Sequence, residues 1–192
     1  MGRLVLMRHG ESEGNRERRF TRTPAVPLTD LGREQVRRSG EWIASASMPV
    51  RIVSSPFQRA FETATILAEI FGLPVDVEDD LRERSYGELA GEPYEVARTS
   101  GNYQLAAYWE WRPPGGETLL EVATRAGAVL DRVARAAPND DVVVVSHGAV
   151  MHALWRHVTG DWPTAKVVAN AGIVLVEHGE ERYLSAVVVS EG

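Results

Sequence analysis

The sequence predicts an α/β protein whose central parallel sheet carries helices on both faces. Three observations predict it. The runs Leu4-Val5-Leu6-Met7, Arg51-Ile52-Val53-Ser54 and Val142-Val143-Val144-Val145 are short and mainly apolar. They are continuous rather than alternating, which is how strands covered on both faces read. Each is followed by a helical segment, the pattern that wraps helices around parallel strands. With 192 residues and no internal repeat, low-complexity tract or linker, the chain is expected to form one domain, 1–192.

The first strand runs into Arg8-His9-Gly10-Glu11, and residues 13–30 then lack periodicity. The helix after the second strand has the clearest start signal: Ser55 as N-cap, Pro56 in the first helical position and Gln58 completing a capping box. Phe57, Ala60, Phe61, Ala64, Leu67, Ala68 and Phe71 give it one apolar face, and Gly72 and Pro74 end it. Residues 79–116 are again irregular, rich in Arg, Pro, Gly and charge. A later helix follows Val122, Ala126, Val129, Val133 and Ala137, with Thr118 and Glu121 as a capping box. After the valine strand, Gly172 to Glu177 and Leu184 to Val189 flank a turn at His178-Gly179-Glu180 and read as a closing hairpin, whose edge could seat a homodimer.

Composition narrows the functional classes. There is no cysteine, which excludes disulfides, thiol catalysis and cysteine-ligated zinc. A net charge of −6 argues against nonspecific nucleic-acid or anionic-membrane binding. Met1-Gly2-Arg3 leads straight into a strand without a signal peptide, Leu6 stands where myristoylation needs Ser or Thr, and the apolar runs are too short to span a bilayer. A cytoplasmic enzyme is the expectation.

The chemistry sits at the strand ends. The first closes on Arg8-His9-Gly10-Glu11, the second on Ser54-Ser55-Pro56 with Arg59 one turn on, and the valine strand on Ser146-His147-Gly148. If these strands are parallel neighbours, two arginines and two histidines converge on one rim, where open α/β sheets place their sites. Arg59 should lean back towards its helix N-terminus, whose free amides add positive field. Arginines clamp phosphoryl oxygens bidentately, one imidazole can attack phosphorus, and the other can donate to a nonbridging oxygen. Glu83, a loop carboxylate with rivals nearby in Glu78 and Glu88, can protonate the leaving alcohol.

Arg8-His9-Gly10-Glu11-Ser12 with Asn15 resembles the opening motif of the histidine phosphatase superfamily, the cofactor-dependent phosphoglycerate mutase clan. The likeness continues through Pro27-Leu28-Thr29, Gly32 and Gln35, and then Ser54-Ser55-Pro56, Arg59-Ala60 and Thr63-Ala64. Leu81, Glu83, Tyr86-Gly87, Leu89 and Gly91 follow the family's acid loop, and Ser146-His147-Gly148 its second histidine, so that it spans residues 3 to about 160. The resemblance implies a three-layer α/β/α sandwich on a mostly parallel sheet, with no metal or cofactor. It implies that His9 is the phosphorylated nucleophile, that Arg8, Asn15, Arg59 and His147 form the phosphate pocket, and that Glu83 is the proton donor. Gly148 stands where the acid-phosphatase and phytase branch has Asp, so the other branch is indicated.

Hydrolysis is favoured over mutase chemistry by three departures and one likeness. Gly14 stands in place of the mutases' Trp, Ala149-Val150 in place of their Asn-Ser, no paired-arginine segment lies between Gly91 and Pro113, and the stretch from Pro113 to Thr118 looks like that of phosphatase members. A protein phosphohistidine or phosphoserine phosphatase fits less well, because residues 92–116 are long enough to cover a small phosphorylated ligand. A noncatalytic module would lack a nucleophile, clamp or acid, and all are present. Arg22, where relatives often have a small residue, is expected to bind a second anionic group of the substrate. Arg82 and Arg84 are read as surface partners or as tuning Glu83. His152 and His157 follow His147 at spacings of five, wrong for helical metal ligands, and read as structural or solvent-facing. His178 reads as a surface residue, and Trp109 and Trp111 as packing or as walls of a substrate pocket.

Overall fold

The computed structural model describes residues 1–99, 108–162, 168–179 and 183–190. In chain order, β1 (Gly2–Arg8) leads into the one-turn α1 (Glu13–Arg16) and then α2 (Asp30–Ala46). Next come β2 (Pro49–Ser54), α3 (Gln58–Phe71), β3 (Val75–Val77) and α4 (Tyr94–Thr99). The chain continues with α5 (Leu119–Ala136), β4 (Asp141–Ser146), α6 (Gly148–Thr159), β5 (Ile173–His178) and β6 (Tyr183–Ser190). The sheet order is β3-β2-β4-β1-β5-β6. β1 to β4 run parallel, while β5 is antiparallel to β1, and β6 to β5.

The three apolar runs are the three inner parallel strands, continuous because both faces are covered. Leu4, Leu6, Val142 and Val144 point into a core with α5 and α6, whereas Val5, Met7, Val143 and Val145 point into a second with α2 and α3. This is a three-layer α/β/α arrangement on a mostly parallel sheet. Thr118 and Glu121 form the expected capping box of α5. Gly72 closes α3 in the left-handed conformation at φ 66°, where a side chain would be strained.

Four details differ from the sequence reading. α3 begins at Gln58 with Phe57 as N-cap and no side-chain cap. Ser55 instead takes the Phe57 amide at 3.2 Å and lies 2.7 Å from His147, while Gln58 bonds Glu62, so the expected capping box does not form. β3, only three residues long and directly after Pro74, is too short to leave a pattern. The irregular stretches hold α1, with a Ser12–Asn15 capping box, and α4. His178 is no surface residue: it ends β5 and is 1% exposed. Glu180 of the turn lies outside the described residues, as do residues 100–107 of the segment read as a ligand cover.

Register decides where the chemistry falls. Arg8 pairs with Ser146, and Ser54 with Val145, so β1, β4 and β2 end flush. The residues immediately after those ends therefore meet above the carboxyl edge of the sheet, where the strand order reverses.

Candidate active site

His9, the first residue past β1, is 2% exposed. Its Nδ1 lies 2.7 Å from the Gly10 carbonyl, and its Nε2 accepts from Arg59 Nε at 3.0 Å. A guanidinium can only donate, so Nε2 bears the lone pair and Nδ1 the proton. Burial, then the charges of Arg59 and Arg8, hold the imidazole well below its ordinary value, and it is neutral at pH 7. The loop that carries it is locked by the Gly10 amide on Thr63 Oγ1. A Cβ on Gly10 would collide with the Gly32 carbonyl, so this close approach to α2 needs glycine.

Arg59 enters from the first turn of α3, 3% exposed, with its guanidinium 5.3 Å from the Phe57 ring centre. Burial lowers its proton affinity, an effect opposed by Glu83. Arg8 donates through Nη1 to the Val168 carbonyl at 2.8 Å. His147 is fully buried, its ring centre 5.1 Å from that of His9, and its Nε2 faces Ser55 Oγ. Burial, followed by the charges of Arg59, His9 and Arg8, keeps it neutral as well.

Three side-chain atoms here are buried without a hydrogen-bond partner: Arg8 Nε, Arg59 Nη1 and His147 Nδ1. Among the described residues the only others are the two ring nitrogens of His178. Buried orphans are rare and costly, and three around one imidazole signal a missing acceptor. Gly148 and Ala149, which open α6, line the same cavity, and the N-cap His147 makes no side-chain cap bond. An anion with several oxygens would satisfy this set, beside the lone pair of His9 Nε2.

The site opens into a cavity of about 380 Å³. Arg8, His9, Asn15, Arg59 and Glu83 line it, with Tyr86, Tyr94, Tyr108, Trp111 and His152 along its walls. Asn15 is committed within the protein: its Oδ1 accepts from Ser12 and from Asn170 Nδ2 at 3.0 Å, and its Nδ2 reaches the Tyr94 hydroxyl at 3.3 Å. Glu83 Oε1 accepts from the Arg84 amide at 2.9 Å.

Arg22 is not brought to the site. It is exposed, its side chain lies over Gly91, and it does not line the cavity. Arg84 is buried against Tyr86 and Trp111 and donates to the Glu117 and Trp111 carbonyls, whereas Arg82 is a surface partner of Asp80 and Glu117. Trp111 walls the cavity, and Trp109 stacks on Trp162. His157 bonds Asp131, while His152 bonds the Tyr108 hydroxyl at 2.6 Å and lines the cavity. No metal-ligating cluster occurs among the described residues. Sequence reasoning missed Asn170, Tyr94, Tyr108 and the place of His152 in the wall. None of them belongs to a motif, and their partners lie 44 to 161 residues away.

Fold and site together define an α/β protein that gathers buried arginine and imidazole nitrogens around a neutral histidine at the carboxyl edge of its sheet. The chain belongs to the histidine phosphatase superfamily (branch 1), which it matches across residues 4–189. It is 36% identical over 185 residues to PhoE, an uncharacterized phosphatase of Bacillus subtilis, covering 95% of this chain and 92% of that protein. It is 34% identical over 185 residues to a 2,3-bisphosphoglycerate-dependent phosphoglycerate mutase of Methylorubrum extorquens, covering 88% and 84%. Its structure resembles that of mycobacterial glucosyl-3-phosphoglycerate phosphatase complexed with VO3, at TM-score 0.86 and 29% identity over 98% of each chain. The protein is thus an enzyme of the histidine phosphatase type, and no helix among the described residues is long and apolar enough to cross a membrane.

Proposed function

We propose that this protein hydrolyses phosphate monoesters of small metabolites through a phosphohistidine at His9, without a metal ion. The observation that carries the reading is the trio of buried unpartnered nitrogens, two of them guanidinium donors, around a neutral imidazole whose lone pair is on Nε2. In the first step Nε2 attacks phosphorus and the bond to the ester oxygen breaks. Arg8 and Arg59 hold the equatorial oxygens, His147 donates to one of them, and Glu83 gives its proton to the departing alkoxide. In the second step Glu83 takes a proton from water, the oxygen attacks phosphorus, and inorganic phosphate leaves as His9 returns to its starting form. Asn15 shapes the pocket floor through Ser12 and Asn170. A cavity of about 380 Å³ suits a small phosphorylated molecule rather than a folded protein surface. The names of the relatives, which include phosphoserine and glucosyl-3-phosphoglycerate phosphatases, point to the same substrate class.

The test is a panel of phosphomonoesters, 3-phosphoglycerate included, with and without chelator, beside His9→Ala. Chelator-insensitive phosphate release that His9→Ala abolishes is expected. Isomerised phosphoglycerate with little free phosphate would mean a mutase instead.

A further inference from the structure

The proton donor sits on a segment with almost no regular structure of its own. Between β3 and α4 the backbone makes only single 3-10 turns at Asp79–Leu81 and Gly87–Leu89. No ladder of strand or helix bonds fixes Glu83, although a misplacement of about 1 Å can cost a hundredfold in rate. Apart from the Arg84 amide on its carboxylate, what anchors its backbone is side-chain chemistry from elsewhere in the fold.

Four consecutive carbonyls, of residues 80 to 83, accept from only two side chains. Arg125, on the second turn of α5, donates through Nη1 to Asp80 O at 2.6 Å and Arg82 O at 2.9 Å. Its Nη2 reaches Glu83 O at 3.3 Å. The carbonyl between them, Leu81 O, accepts from Ser146 Oγ at 2.7 Å, from the residue just before His147. Arg125 is itself locked: Nε and Nη2 each meet a Glu117 oxygen at 2.9 Å, and its side chain is 11% exposed. Glu117 also takes the Ser85 amide at 2.8 Å, and its own amide donates to Ser85 O at 2.9 Å. Burial alone would raise the Glu117 carboxyl, but the bonds from Arg125 and Ser85 outweigh it and hold the group below its ordinary value, as the ionised partner of Arg125.

We propose that Arg125, clamped by Glu117, is the positioning residue that holds Glu83 at the distance and angle from which it protonates the leaving group. The inference rests on Glu83 as proton donor. Arg125 does not touch the substrate, since it does not line the cavity. Its planar fork makes five bonds, to three carbonyls and both carboxylate oxygens, and a lysine ammonium cannot reproduce that geometry. The clasp also joins the acid loop to the α5 start, while Ser146 joins it to the strand that delivers His147.

The experiment compares kcat/KM for 4-nitrophenyl phosphate with that for phenyl phosphate, two esters of similar shape. The nitrophenolate leaves without a proton, whereas phenolate is much more basic and needs one. The ratio kcat/KM reports the step that breaks the ester bond, whatever limits turnover. Glu83→Gln should raise the ratio of the two values strongly. Arg125→Lys, Arg125→Ala and Glu117→Gln should raise it too, roughly ten- to a hundredfold, chiefly by slowing phenyl phosphate. A purely structural Arg125 would slow both esters alike. Equal losses in the Arg125 and Glu117 variants, with the ratio raised in Glu83→Gln, would overturn the positioning role and leave the acid assignment standing. An unchanged ratio in Glu83→Gln would overturn the acid assignment and this proposal with it. Should Arg125→Ala not fold, Arg125→Lys and Glu117→Gln carry the same test.

Discussion

Replacing Arg59 with methionine should separate activity from stability, with a large loss of the first and a small change in the second. Arg59 is 3% exposed, its charge is disfavoured by burial and by Arg8 though favoured by Glu83, and its Nη1 has no partner. Replacing a poorly compensated buried charge by an apolar side chain of similar length is neutral or stabilising by about 1–4 kcal/mol. Against that stand one hydrogen bond to His9 Nε2 at 3.0 Å, worth about 1 kcal/mol net, and the contact with Phe57, worth about 0.5–1 kcal/mol. The net change is expected to lie between about −2 and +2.5 kcal/mol, a Tm shift of no more than about 10 °C. Catalysis loses at least two charge-assisted bonds of about 1.5–3 kcal/mol each, so kcat/KM should fall by roughly 10² to 10⁴. Denaturant unfolding of the ligand-free proteins and steady-state assays with 4-nitrophenyl phosphate give both quantities. A variant destabilised by more than about 2 kcal/mol, its activity tracking the folded fraction, would show that Arg59 is a structural residue and that the orphan-donor reasoning is wrong.

Other expectations follow from the same geometry. His9 and His147 are held neutral by burial, so their folded values lie below the unfolded value of about 6.5. Below that pH the unfolded chain binds protons that the native state refuses. Stability is therefore full above about pH 6.5 and falls as pH drops, by roughly 1.4 kcal/mol per unit for each histidine. Urea unfolding between about pH 5 and 7 should show a slope shallower by that amount in His147→Gln, and equal slopes in the two proteins would contradict the burial account. His178, depressed chiefly by its burial, contributes in the same sense, and His178→Gln should flatten the slope without changing kcat. Arg22→Ala should move KM by no more than about twofold, as a surface change does, because the side chain lies over Gly91 outside the cavity. A large KM rise at constant kcat would restore it as a contact for a second anionic group.

How much of this could be read from the sequence depends on how local the cause was. The inner strands were legible because burial on both faces leaves an unbroken apolar run, as at Val142 to Val145. The α5 capping box was legible because its two partners are three residues apart. The α3 start was misread because Ser55 is drawn to His147, 92 residues away, and tertiary demand outweighs a local cap. Arg8, His9, Arg59 and His147 could be placed together because strand ends and the first turn of a helix have a direction. Arg22, in a loop with none, could not. His178 looked like a turn residue, yet the antiparallel pairing of β5 with β1 buries it against Gly2. Arg125 left no signal, since an arginine in an amphipathic helix looks like a solvated one until the loop it grips is known.

The central claim is a covalent one, and trapping the intermediate tests it most directly. Rapid acid-free quenching with a labelled phosphomonoester, followed by peptide mapping, should find a phosphoryl group on the His9 peptide that is stable to base and lost in acid. It should form and decay no slower than turnover, and His9→Ala should neither carry it nor release phosphate. Undiminished phosphate release by His9→Ala, or a wild-type protein that turns over without a label on that peptide, would contradict the account.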